Sequence, residues 1–289
     1  HGAAPFADAL AARLTAPPLA ADAADALVSA GAAAVPAAAR LLADPAAAPA
    51  ARRAVPAVLE RVGTEEAAAV LAEHLLDGDA TLRLRVLVAL GRIRDERQSV
   101  PLDPRLLEAA LGAEVLGHYR SYQVLGQIGG AGQEPVVRGV RAAMREELER
   151  VFRLLDLIVP RRGFRSAWVA LQSGNTVIHD QALDLLESVL RPEMRALLVP
   201  LVDPEVGEAE RIRLAQRLVG APVESPEQAV AALASTGDPW LRSCAAWAIG
   251  ALGLVSLEGH LDAWREDPDP LLRETVRQAR LALQERGPR

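Results

Sequence analysis

The chain has 289 residues, enough for one large domain or two ordinary ones. It is 51% hydrophobic but only 3% aromatic, and its formal net charge of −6 excludes a general affinity for nucleic acid or anionic lipid, leaving room only for a local basic stripe. A single cysteine, Cys244, excludes an internal disulfide framework and a cysteine-based zinc cluster.

Alanine and leucine carry most of the apolar content, both are strong helix formers, and no long alternating stretch supports sheet. The composition predicts an all-α chain. The basic residues are all arginine. Cys244 lies in an apolar run and reads as a small buried residue rather than a reactive thiol. No stretch approaches the ~20 uninterrupted apolar residues of a membrane span. No signal peptide is visible, and His1 in place of Met marks a processed or excised piece, with His1 a tag remnant. The expectation is a soluble, cytoplasmic domain, cut from something larger.

In chain order, residues 20–43 read as two alanine-rich helices broken near Gly31, with Pro36 early in the second. Residues 44–62 look like an Asp-Pro unit with a longer entry before Arg52 and Arg53, and 64–76 pairs with 79–94. One or two longer helices are expected over 102–129, and a long helical period over 134–160 ends before Pro160. Units at 163–173, 175–190, 192–202, 208–219, 226–235, 239–252, 255–265 and 270–286 complete the array. The organisation expected is one solenoid over 1–289. Alanine-rich helices occupy 1–45, and a Gly-rich loop near 126–134 separates repeat halves 46–133 and 134–289.

Three stretches share one pattern: "GDATLRLRVLVALGRI" at 78–93, "GDPWLRSCAAWAIGALG" at 237–253 and "PDPLLRETVRQARLAL" at 268–283. Aligning Asp79, Asp238 and Asp269 puts Arg83, Arg242 and Arg273 in one column, and Ala89, Ala248 and Ala279 in another. Asp238 and Asp269 are 31 residues apart, room for two short helices and their turns, and recurrence of that kind marks a solenoid. Asp can cap a helix N-terminus and Pro at the first helical position loses no hydrogen bond. The Arg one turn on can reach a capping Asp in its own repeat or the next. These six residues are the expected structural framework, with the arginines in inter-repeat contacts.

The Asp and Arg columns with their small-residue helices resemble HEAT-like repeats of the phycobilisome-lyase type. Residues 50–203, through "RRAVPAVLERVGTEEAAAVLAEHLLDGDATLRLRVLVALGRIR", "ELERVFRLLDLIVP" and "ALQSGNTVIHDQALDLLESVLRPEMRALLVPLVD", look like a more specific family. That family is the HEAT-repeat region following the membrane domain in bacterial ATP/ADP-translocase-like and major-facilitator-type transporters. It carries Asn where this chain has Gln181 and Ser188, and the Arg column is broken at His179. The resemblance implies a right-handed α-solenoid that is the soluble appendage of a transporter-like membrane protein, at the inner face of the membrane.

The histidines His1, His74, His118, His179 and His260 include no i, i+4 pair and no HExxH. Carboxylates near His in 73–77 and 179–184 read as polar groups at helix ends. "GQIGGAGQE" lacks the GK[ST] ending and strand context of a phosphate loop, and no GxSxG occurs. No catalytic, cofactor-binding or metal residue is assigned. Trp240, at a helix start, and Trp264 are candidate surface contacts, whereas Trp247 sits in an apolar stripe.

The arginine clusters at 161–165 and 210–217 are interleaved with acids, as on a solvated helix face. The expected function is a non-enzymatic protein-interaction or regulatory scaffold. Its partner is another protein or an adjoining domain, not nucleic acid, and this chain itself does not insert in the membrane. A HEAT-like DNA glycosylase or other repair protein and a bilin lyase-like protein are the alternatives.

Overall fold

The structure, a computed structural model, describes residues 6–16, 18–97, 100–129, 134–173 and 175–286. Among them are helices and turns and no strand, as the alanine and leucine content dictates. The chain divides into two units. One takes residues 1–111 and 153–162, the other 112–152 and 163–289, so the divisions fall inside two 25-residue helices.

The first unit contains α1 (Ala7–Ala11), α2 (Ala20–Ala30), α3 (Val35–Ala43), α4 (Pro49–Val62), α5 (Glu65–Ala72) and α6 (Ala80–Glu96). It also takes the start of α7 (Pro104–Ile128) and the end of α8 (Glu134–Ile158). Local chemistry sets the boundaries. Pro36 and Pro49 occupy first-turn positions, where a missing N–H costs nothing. Gly63, at φ 63°, closes α4 in the left-handed region. Thr64 then caps α5 by accepting the Ala67 N–H, with Glu65 and Glu66 at the positive end of the helix dipole. Val55, Leu59, Leu71, Leu82 and Val86 bring α4, α5 and α6 together in a sealed core.

The run Ala20–Ala43, 24 residues of mean hydropathy 1.6, is long and apolar enough by composition to cross a membrane, although Asp22, Asp25 and Arg40 interrupt it. Arg40, near its end, does not lower the average enough to disqualify it. The structure breaks the run at Gly31, whose φ of 59° and ψ of −136° suit only glycine, and packs the two halves against α1 and α4.

The second unit holds the larger part of two 25-residue helices: α7 from Gly112 to its end and α8 from its start to Phe152. Eight further helices follow in sequence: α9 (Phe164–Gln172), α10 (Thr176–Val189), α11 (Pro192–Val202), α12 (Glu208–Leu218), α13 (Pro226–Ala234), α14 (Pro239–Leu252), α15 (Glu258–Ala263) and α16 (Pro270–Arg286). Residues 102–129 thus form one uninterrupted helix after a short entry. Four residues of the expected Gly-rich loop, 130–133, lie outside the described residues.

The shared alanine column explains the tightest packing. Ala89, Ala248 and Ala279 are all buried. A Cβ on Gly250 would lie 2.7 Å from Ala279 Cα, so α14 and α16 meet backbone to backbone. Gly139 lets α8 approach α14 in the same way, since a Cβ there would fall 2.5 Å from Cys244 Sγ.

Candidate functional site

Asp79, Asp238 and Asp269 do cap helices. Their carboxylates accept from the N–H of Leu82, of Trp240, and of both Leu271 and Leu272. The arginines four residues on behave differently from the expected bond to a capping Asp. Arg83 Nη1 donates to Asp77 O at 2.6 Å, Arg242 Nε to Thr236 O at 2.8 Å and Arg273 Nη1 to Asp267 O at 2.6 Å. The acceptor is each time the carbonyl two residues before the cap. Side chains on a helix lean toward its N-terminus, so a long arginine one turn in reaches the carbonyl before the cap.

Repeats are linked through the capping Asp79, which Arg53 Nε meets at 2.6 Å, and through a second, non-capping aspartate. Arg242 Nη1 lies 3.4 Å from Asp267 Oδ2, and Arg52 Nη2 lies 2.5 Å from Asp77 Oδ2, both partly buried. Asp77 and Asp267 in turn accept the N–H of Asp79 and Asp269. Arg52 and Arg83 are 31 residues apart, as are Arg242 and Arg273, so one ladder is written once in each unit. Arg52, expected in an Asp-Pro unit with a longer entry, stands outside the arginine column because the N-cap of its helix is Ala48, which offers no side-chain cap. Counting four residues from each N-cap would have found it, and also Arg195 and Arg211 on α11 and α12. Arg195 donates to Leu190 O, just before α11, and Arg211 donates to Asp203 O in the turn before α12 and to Pro200 O within α11. His179 occupies the same column on α10, behind the capping Asn175, and its Nδ1 is buried without a hydrogen-bond partner.

A polar seam runs between α7 and α8 within the second unit. Glu114, His118 and Ser121 fall on one face of α7; Glu147 and Arg150 answer from α8. Arg150 Nε donates to Glu114 Oε1 at 2.9 Å with both side chains buried. His118 Nδ1 meets Glu147 Oε2 at 2.9 Å, and Ser121 Oγ donates to Glu147 Oε1 at 3.0 Å. Burial alone would raise the Glu147 pKa, but the hydrogen bond and charge of His118, with Arg150 and Ser121, hold it below the ordinary carboxylate value. An ionised Glu147 only accepts, so Nδ1 carries the proton. His118 Nε2 is buried with no hydrogen-bond partner. The i, i+4, i+7 spacing of Glu114, His118 and Ser121 is the sequence signal that a search for metal and hydrolase motifs missed.

An open cavity of about 220 Å³ adjoins this seam. His118, Tyr122, Arg141, Arg145, Glu208 and Arg211 supply its polar lining. Tyr122 meets the His118 ring edge-on at 5.3 Å, and Arg211 Nη1 donates to its hydroxyl at 3.2 Å. Burial raises the pKa of that phenol, so it stays neutral. No group of three or more His, Cys, Asp or Glu among the described residues could hold a metal ion.

The two tryptophans singled out in the sequence part company. Trp240 is 45% exposed, its Nε1 donating to Gly139 O at 3.1 Å. It borders a second, apolar cavity of about 150 Å³ with Val136, Cys244, Trp247 and Leu271. Trp264 is not a surface contact: it is 8% exposed and lies against the His260 ring, because the short α15 ends by folding it inward. Cys244 is buried as expected, and burial pushes its thiol up to about 12.

Helix pairs that recur with the same cap and the same back-bonding arginine define an all-helical repeat protein. No family model and no curated protein matches the chain. Among solved structures, human deoxyhypusine hydroxylase in complex with glycerol aligns at 18% identity and a TM-score of 0.34, covering 98% of this chain and 97% of that one. That structure is of an enzyme, and the expectation of a non-enzymatic chain is withdrawn against it. Motif searches look for residues close in sequence. His118 and Glu147, 29 residues apart yet hydrogen-bonded, show how polar groups assemble without a motif. At so low a TM-score, no activity passes from that enzyme to this chain.

Proposed function

We propose that the chain is a right-handed solenoid of HEAT-like repeats that recognises a protein partner, as the soluble repeat module of a larger bacterial transporter-like membrane protein. The observation that carries the reading is the apolar surface around Trp240 in the second unit. Trp240 and Leu271, at 45% and 51% exposure, flank the cavity lined by Trp247 and Val136. Large exposed side chains beside a preformed apolar pocket are what a protein interface anchors on. The close approach of α14 to α16 at Gly250 holds Trp240 and Leu271, one on each helix, at a set spacing. The stretches within 50–203 that resemble the transporter-associated repeats support the second half of the reading.

The test is recovery of partners from detergent-solubilised lysate of the source organism, with this chain as bait and mass spectrometry as readout. The reading expects one protein bound reproducibly by the native chain and lost with Leu271→Glu, a change on an exposed face. Nucleic acid as the sole bound species, released at raised salt, would overturn it and bring a DNA-binding repair protein forward.

A further inference from the structure

We propose that the cavity beside His118 binds a small organic oxyanion that also carries a hydroxyl. The inference does not depend on the protein-binding reading, since none of the residues around Trp240 line this cavity.

The first observation is an unmet hydrogen bond. His118 is 1% exposed and lines the cavity, and its Nε2 has no partner. A buried polar atom left unpaired is costly, and such exceptions concentrate where a ligand or water completes the set. Glu147 occupies Nδ1, so Nε2 is the ring position left over, and a hydroxyl, which can both donate and accept, can pair with it.

Charge supplies the second observation. Three arginines and one carboxylate line the cavity. Arg141 is bound by Glu208 through both carboxylate oxygens, and Arg211 is spent on Pro200 O, Asp203 O and the Tyr122 hydroxyl. Arg145, exposed at the rim, makes no hydrogen bond or ion pair among the described residues. Its planar fork suits a carboxylate or a phosphate. Leu125, Met144, Leu148 and Leu201 form apolar walls, and the volume of about 220 Å³ admits only a short hydrocarbon body. A carboxylate or phosphate on Arg145 with a hydroxyl on His118 Nε2 satisfies both groups at once.

The experiment titrates the full chain with 2-hydroxyisocaproate, a carboxylate, and with glycerol 1-phosphate, followed by calorimetry and by the ring resonances of His118 assigned through His118→Gln. The neutral 4-methylpentane-1,2-diol is the control. Saturable binding of either oxyanion is expected, with His118 shifted, affinity at least about tenfold weaker in Arg145→Gln, and no binding of the diol. Which oxyanion binds tells carboxylate from phosphate. Arg145 is exposed, so its variant keeps the fold even if a His118 variant does not. His118 signals unmoved by both oxyanions to tens of millimolar, or affinity unchanged in Arg145→Gln, would overturn the proposal.

Discussion

Arg52 Nη2 lies 2.5 Å from Asp77 Oδ2, a pairing across 25 residues that Arg242 repeats with Asp267 in the other unit. In both, the aspartate also holds the backbone of the next capping residue, so one guanidinium supports the start of the following helix. Arg242→Ala and Arg52→Ala are each expected to lower stability by about 1–3 kcal/mol, the cost of leaving partly buried acceptors unpaired. Arg277→Ala, which removes a fully exposed pair with Glu274, should lower stability clearly less than either. Urea denaturation of the three variants checks the ranking, and equal losses would contradict the ladder.

Glycines on α14 and α7 should respond to alanine with opposite signs. At Gly250 the new methyl meets the Ala279 backbone at 2.7 Å, which cannot move without parting α14 from α16. Gly250→Ala is expected to destabilise by about 1–3 kcal/mol through overpacking. Gly117 is exposed within α7 with nothing within 4 Å of the new atom, so Gly117→Ala should stabilise by about 0.5–1 kcal/mol through helix propensity. Thermal melts of both proteins decide the signs.

Acid should weaken the seam between α7 and α8. Glu147 has a folded-state pKa below its ordinary value of 4.5, so its contribution is complete above pH 4.5 and is lost as pH falls through the lower, folded value. Stability measured from pH 6 downward should decline below about 4.5. In Glu147→Gln the protein should start less stable and decline less steeply over that range. A residual slope is expected from Asp77, whose pKa is also lowered: burial raises it, but the Asp79 N–H and Arg52 outweigh that.

Cys244 should be chemically silent in the native protein. Its thiol, pushed up to about 12 by burial, forms almost no thiolate at pH 8. Ellman's reagent should react slowly with folded protein and fully once the chain is denatured; rapid native reaction would place the sulfur at the surface.

Much of the helical layout is legible in the sequence because its signals are local. Asp79, Asp238 and Asp269 announce helix starts through bonds to the next two or three residues. Gly31 and Gly63 mark breaks by their positive φ, and Pro160 follows the end of α8 at Ile158. The ladder was only half legible. Arg83, Arg242 and Arg273 stand in an aspartate-anchored column, but Arg52, Arg195 and Arg211 follow helix starts with no such marker.

The sequence by itself determined an all-helical repeat with a 31-residue interval, since propensity, capping and the alanine column act over a few residues. The tertiary structure decided what the polar side chains do. It joined His118 to Glu147 across 29 residues, left Nε2 buried and unpaired among the described residues, turned Trp264 inward and kept Trp240 out. Those outcomes depend on which helix faces are apposed, and apposition is set by the summed packing of many apolar contacts, which no short stretch of the chain encodes.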